Sequence, residues 1–281
     1  ASFTNFATLS YNGGTTNSNI VTGEILEALT AVKTAVSANY SAGDRITYAL
    51  SLVNTGTAAV TDYTVTDNLG GYTVGANTVY PLAYNTGTVR YYINGVLQTA
   101  PTVTAGPPLT VTGLTVPAGG NAVLIYETTA TSVAPLATGS SITNTATITG
   151  GGLTTPISAQ ATVETANSAD LTISKALSPT TVTETAITYT FVISNTGNTE
   201  ATATGNVVVT DTFAPILRNI AVTYHGTAWT EGTNYTYNAA TGVFTTLAGQ
   251  ITVPAATFTQ NTDGTFTVTP GTATLVITGT V

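Results

Sequence analysis

Only two lysines occur in the 281 residues, Lys33 and Lys175, and they stand at equivalent places in an internal repeat. Side chains alternate between the two faces of a strand. By that alternation Lys33 shares a face with Leu29 and Ala31, and Lys175 shares one with Leu171 and Ile173, so both are expected to point inward. Asp67 falls on the face of Tyr63 and Val65, and Asp211 on that of Val207 and Val209. Asn144 lies with Ile142, Ala146 and Ile148, and Asn5 with Phe3, Ala7 and Leu9. A lysine, an aspartate and an asparagine are thus aimed into each of two cores. An unpaired buried charge costs several kcal/mol or is neutralised by a shift of its pKa.

Two chemistries fit this trio. One is a buried Lys–Asp ion pair with the asparagine hydrogen-bonded nearby. The other is a spontaneous amide bond. Burial lowers the lysine pKa and leaves a neutral, nucleophilic amine. Burial raises the aspartate pKa, and the protonated acid polarises the asparagine carboxamide and shuttles protons as ammonia leaves. Either outcome needs all three groups held in contact, which only a finished fold provides.

The elements that hold them read as strands. Period-two alternation recurs, as in Ile46-Thr47-Tyr48-Ala49-Leu50-Ser51-Leu52 and Leu171-Thr172-Ile173-Ser174-Lys175, and Gly, Pro and Asn clusters punctuate it. The 67 threonines and 27 glycines suit this pattern, because threonine is β-branched and keeps an outward face wet without charge. The helix-like stretch from Gly23 to Ala35 is better read as strand. An all-β chain of two tandem immunoglobulin-like β-sandwiches is expected, preceded by an N-terminal donor β-hairpin.

The repeat is explicit. Ile46-Thr47-Tyr48 and Asn54-Thr55-Gly56 recur as Ile187-Thr188-Tyr189 and Asn195-Thr196-Gly197. Val65-Thr66-Asp67 matches Val209-Thr210-Asp211, and Val116-Pro117-Ala118 matches Val253-Pro254-Ala255. The run from Ala122 to Ile125 matches that from Ala273 to Val276. The first copy continues through Ser141–Ile148, a triple-glycine turn and a strand around Ile157–Val163, whereas the second stops at Val281. The missing hairpin stands at the other end, where Phe3-Thr4-Asn5-Phe6-Ala7-Thr8-Leu9 matches residues 142–148, followed by Gly13-Gly14 and a strand around Ile20–Ile25. Asn5 precedes Lys33 by 28 residues and Asn144 precedes Lys175 by 31. The expected domains are 1–26, a donor hairpin and linker; 27–166, a complete sandwich; and 167–281, a sandwich lacking its last hairpin.

A sandwich without its last hairpin exposes strand edges and a strip of core. Residues 1–26 have three ways to cover it: folding back on their own chain, exchanging within a dimer, or complementing the next subunit head to tail. Folding back requires passing the whole first sandwich on a short linker, so the open-ended fibre is expected, with Phe3, Asn5, Ala7 and Leu9 at the subunit interface.

These residues resemble a conserved-repeat domain of unknown function that recurs in long bacterial surface proteins. The lysine, the Ile-Thr-Tyr strand, Asn-Thr-Gly, Val-Thr-Asp and Thr-Asn-x-Ala-Thr carry the likeness over nearly the whole chain. The order Lys, Asp, Asn is also similar to the collagen-adhesin A-type isopeptide domains. Lys33 precedes Asp67 by 34 residues, and Lys175 precedes Asp211 by 36. That resemblance implies a Lys33–Asn144 bond catalysed by Asp67, and a bond from Lys175 to a neighbour's Asn5 catalysed by Asp211. Glu127 is a rival acid, but its counterpart in the second copy is Thr278.

Composition narrows the function further. Five basic against thirteen acidic residues give a net charge of −8, which argues against nucleic acid as a partner. No apolar run approaches the ~20 residues of a membrane span. Cysteine is absent, which removes disulfides and thiolate chemistry. With one histidine, His225, read as a turn residue, no triad or metal site is expected, nor any cofactor. Trp229, Tyr91, Tyr92, Tyr224 and Tyr235 are assigned to packing in preference to a sugar-binding face. Methionine is absent and Ala1 comes first, so we read the chain as processed. The expectation is an extracellular structural subunit on a cell or spore surface, a homopolymer and not an enzyme beyond single-turnover bond formation. The alternative is a monomeric adhesin stalk.

Overall fold

The computed structural model describes residues 2–24, 28–181 and 186–281, with side chains described from residue 4 and as far as residue 23 in the first of these segments. The described residues form strands and turns, with one short 3-10 turn at Ala203–Gly205. Buried and less buried positions alternate through the longer strands. In Arg45–Asn54, for example, Ile46, Tyr48, Leu50, Leu52 and Asn54 are buried while the residues between them face outward.

The first unit is a sandwich of two sheets. One runs Val96–Leu97, Arg90–Ile93, Asn121–Ala130, Arg45–Asn54, Leu29–Ala35, with Leu82–Tyr84 also paired to Asn121–Ala130. The other runs Thr102–Thr104, Leu109–Val116, Val60–Asp67, Ser141–Gly150, Ile157–Thr165, Asn39–Tyr40. Leu50, Leu52, Val65, Val111, Leu114, Leu124 and Ile148 fill the space between them. Burying each such side chain contributes about 1.5–3 kcal/mol. The strand Ile157–Thr165 also lies against Leu29–Ala35, so the Ser141–Thr165 hairpin closes the sandwich over the lysine strand.

The second unit repeats one sheet in full: Leu171–Ser178, Ala186–Asn195, Gly271–Thr280, Arg218–Tyr224, Thr227–Trp229. Among the described residues its facing sheet consists of Thr210–Thr212, Val243–Thr246 and Tyr235–Asn238. In the first unit Val60–Asp67 is held between two partner strands, whereas Thr210–Thr212 pairs on one side only and regular strand survives for three residues. A separate core forms around Phe191, Ile193, Phe213, Phe244, Leu275 and Ile277.

Equivalent turns use equivalent devices. The buried Asn54 side chain donates to Ala58 O (2.8 Å) and accepts from Gly56 N, and Asn195 does the same with Thr199 O (2.8 Å) and Gly197 N. The hairpin turn Asn94-Gly95 has φ of 49° and 79°, and its counterpart His225-Gly226 has 47° and 78°. Positive φ at both central residues is the signature of a type I′ hairpin, so His225 is a turn residue. At the joint between the units Asn198 Nδ2 donates to Leu136 O (2.9 Å) and Ala166 O (2.8 Å).

The described part of the N-terminal segment is a hairpin. Ser2–Asn5 pairs with Val21–Glu24, and Thr8–Tyr11 with Gly14–Asn17. The sequence suggests one continuous strand over residues 3–9, but the ladder breaks at Phe6-Ala7. There Ala7 N donates to the Ser18 hydroxyl (2.9 Å), so a side chain takes a place that a carbonyl fills in a regular ladder. Among the described residues this hairpin pairs with no strand of either sandwich. Phe6, Leu9, Tyr11, Ile20 and Val21 are exposed, Leu9 by 63%.

Candidate functional site

In the first sandwich the three residue types converge. Lys33 comes from the edge strand Leu29–Ala35, and Asp67 ends Val60–Asp67 in the opposite sheet. Asn144 lies on the neighbouring strand, two residues before Ala146, which pairs with Asp67. The Lys33 ammonium meets Asp67 Oδ2 at 2.5 Å, with the two side chains 0% and 1% exposed. Asp67 Oδ1 accepts from Leu69 N (2.9 Å), and the Tyr126 hydroxyl donates to Oδ2. Asn144 is fully buried, and neither atom of its carboxamide has a hydrogen-bond partner of ordinary geometry, although the phenols of Tyr48 and Tyr126 lie against it. Lys33 Nζ stands 4.8 Å from the centre of the Tyr48 ring and 5.8 Å from that of Tyr126.

The electrostatics follow from burial. Loss of water pulls the Lys33 amine down to about 8, even though Asp67 opposes the shift. The same loss of water raises the Tyr48 and Tyr126 phenols, and the nearby Asp67 carboxylate raises them further. The amine therefore has a sizeable neutral fraction near neutral pH, while both phenols remain protonated donors.

This arrangement sets a pH dependence for a chain carrying Asn144→Ala, in which Lys33 stays a free amine. Between pH 7 and 9 the unfolded lysine keeps its proton while the folded one releases it, so the unfolded state binds more protons and stability rises with pH. The gain over that window is about 1 kcal/mol. Above it the buried phenols of Tyr40, Tyr48, Tyr63 and Tyr126 offset the lysine and then reverse the slope, because the folded state holds protons that the unfolded state gives up. Urea titrations at stepped pH check this; a flat or falling profile from pH 7 to 9 contradicts it.

The second unit assembles half of the same site. Lys175 Nζ meets Asp211 Oδ2 at 2.5 Å and stands 4.4 Å from the Tyr189 ring centre, as Lys33 does over Tyr48. Yet these two side chains are 39% and 18% exposed. On Leu29–Ala35 the inward residues Leu29 and Lys33 are buried, whereas on Leu171–Ser178 the inward Ile173, Lys175 and Leu177 are exposed. Beside them Leu171, Ile193, Val207 and Val209 line an open cleft of about 170 Å³. The side chain of Asn5 is exposed on the free hairpin with Ala7 and Leu9, and the side chain of Phe3 lies outside the described residues. The structure therefore brings Lys33, Asp67 and Asn144 together, and Lys175 with Asp211, but leaves Asn5 apart from both pairs.

Glu127 points outward and meets Arg45 at 3.6 Å, with 37% of its own side chain and 77% of the arginine's exposed. Its place in the core is taken by Tyr126, one residue earlier. Replacing it, Glu127→Gln, is expected to change stability by less than about 0.5 kcal/mol, since exposed pairs contribute little. Intact mass and a urea titration of the variant check that it is silent in both respects.

Two residues of the site escaped sequence reasoning. Tyr48 was legible in principle, because the repeat places Tyr189 at its equivalent. Tyr126 was not, since Ile277 stands at its place in the second copy. Four of the five candidate sugar-binding aromatics are committed elsewhere: Tyr91 and Tyr224 donate to Thr115 O and Thr252 O, Trp229 stacks on Tyr224 at 4.9 Å, and Tyr235 packs on Phe244 at 5.2 Å.

No protein-family model matches the chain, and no curated protein matches it. Among solved structures it is similar to BcpA, the major pilin subunit of Bacillus cereus, over 96% of this chain and 73% of that one, at 14% identity and TM-score 0.36. A 35 kDa C-terminal fragment of the major pilin GBS80 of Streptococcus agalactiae is similar over 86% of each chain, at 14% identity and TM-score 0.36. The N-terminal domain of the Streptococcus gordonii adhesin Sgo0707 is similar over 51% of this chain and 34% of that one, at 13% identity and TM-score 0.34. Likeness at this level describes β architecture and carries no function across.

Proposed function

We propose that the chain is the structural subunit of an extracellular, cell-surface fibre that polymerises head to tail. The N-terminal hairpin of one copy lies across the Leu171–Ser178 strand of the next, in the place that Ser141–Thr165 takes over Leu29–Ala35. One observation carries this reading: the same strand face that is buried in the first sandwich is open in the second. A hairpin whose residues match the missing cover stands unpaired in the same chain. Closing an apolar strip with an apolar hairpin removes both surfaces from water, and the strand edges gain hydrogen bonds.

The chemistry of the two sites gives the reading its second part. Lys33 and Asn144 join within each subunit, with Asp67 moving the protons, and Lys175 joins Asn5 of the arriving hairpin beside Asp211. Each bond forms once, so the chain turns over no substrate. The neutral fraction of the Lys33 amine and the unsatisfied Asn144 carboxamide support the bond in the first sandwich. The bond to Asn5 rests on the equivalence of the two copies.

Electron microscopy of the purified chain, with and without residues 1–26, tests the polymer. Filaments from the full chain and dispersed particles from the shortened one are expected. Filaments formed equally well without residues 1–26, or a full chain that stays monomeric at high concentration, would refute the proposal.

A further inference from the structure

Tyr48 is a buried phenol without a hydrogen bond of ordinary geometry, lying in weak hydrogen-bonding contact with an asparagine whose carboxamide likewise has none of ordinary geometry. Unpartnered buried polar groups are uncommon and each one calls for a physical reason. Here three atoms without a bond of ordinary geometry, Tyr48 Oη and Asn144 Oδ1 and Nδ2, belong to side chains that touch each other, and the Lys33 nitrogen stands 4.8 Å from the Tyr48 ring centre. Tyr126 is already engaged with Asp67, and the carboxylate of Asp67 already receives Lys33 and Leu69 N. The phenol of Tyr48 is thus the uncommitted donor at the asparagine.

We propose that Tyr48 is a catalytic residue of Lys33–Asn144 bond formation, its hydroxyl donating to the carboxamide oxygen as negative charge develops there. The inference rests on the amide-forming reading above. In the step, the Lys33 ammonium gives a proton to Asp67 and its free amine attacks Cγ of Asn144. The carbonyl electron pair moves onto Oδ1, where Tyr48 holds it. Asp67 returns its first proton to Nδ2 and takes a second from the attacking nitrogen; the pair then returns, the bond from Cγ to Nδ2 breaks, and that nitrogen leaves with both protons relayed by Asp67. An ammonium and a primary amide become a secondary amide and an ammonium ion, so atoms and charge balance. A hydrogen bond of poor geometry in the starting state that tightens in the intermediate lowers the barrier by the difference between the two. Burial keeps the phenol protonated, so it is a donor at any working pH. Tyr189 lies under Lys175 in the same relation, at 4.4 Å, and serves the second site in the same way.

The test uses the full chain with Asn5→Ala, so that each molecule has one ammonia to lose. Intact mass is followed after a pulse of cell-free synthesis, with Tyr48 and with Tyr48→Phe. Loss of one oxyanion donor is expected to slow the release of ammonia by about 10²-fold. The shape of the pH–rate profile should persist. Stability of the unreacted fold, read by urea titration with Asn144→Ala present, should be unchanged or higher, because the hydroxyl removed has no partner there. A purely packing role predicts the reverse: lower stability and an unchanged rate in the molecules that fold. An unchanged rate overturns the inference alone; if the parent chain never loses ammonia, the amide-forming reading falls and takes the inference with it. Should Tyr48→Phe fail to fold, Tyr189→Phe in the otherwise natural chain decides. Slower growth of a boiled-gel ladder supports the role, and an unchanged ladder overturns it.

Discussion

Replacing Asp67 by alanine is expected to destabilise the first sandwich by about 3–5 kcal/mol, while Asp211→Ala costs the second about 0–1 kcal/mol. The two ion pairs have the same length, 2.5 Å, and differ only in surroundings. Without Asp67 the Lys33 ammonium is left in a core where its side chain is 0% exposed, and the donors from Tyr126 and Leu69 lose their acceptor. Without Asp211 the partly exposed Lys175 turns to water. Asp67→Ala should also keep the chain at full mass, since no group remains to relay protons from the attacking amine to the departing nitrogen. Urea titrations followed by an aromatic signal from each unit, together with intact mass, read both effects. Equal costs at the two positions would contradict the assignment of one closed and one open site.

The second large effect concerns Asn5. Boiled in detergent, the assembled protein is expected to run as a ladder of multimers, and Asn5→Ala should reduce that ladder to a single monomer band. Filaments should still form from the variant, because the hairpin keeps Ala7, Leu9 and the remaining apolar surface that seats it. Lys175→Ala should give the same collapse from the other side of the bond. A ladder that survives both substitutions would mean that the subunits are joined through other residues.

Much of this was legible in the chain alone, because threonine-rich alternation leaves little room for anything but strands and the repeat pairs each strand with its counterpart. The inward direction of Lys33, Asp67 and Asn144 follows from counting residues along strands that turned out to be regular. Counting did less well where the ladder is irregular: the Ser18 side chain breaks the N-terminal strand at Phe6-Ala7, and no alternation pattern signals a side chain replacing a carbonyl. Exposure of Lys175 was implied by the missing cover, but the shrinkage of its partner strand to Thr210–Thr212 was not. That shrinkage reflects a strand with a neighbour on one side only. Tyr126 shows the limit most plainly. Its phenol completes the Asp67 site, but with Ile277 at the equivalent position the repeat marks it as ordinary core.

The central claim is that the face of Leu171–Ser178 is covered by the hairpin of another copy. A filament reconstruction by electron cryomicroscopy at side-chain resolution tests it most directly. The account predicts a two-stranded density across that face, traceable to residues 2–24 of the adjacent subunit, with Asn5 against Lys175. A hairpin folded onto its own second unit, or a Leu171–Ser178 face left bare between subunits, would contradict it.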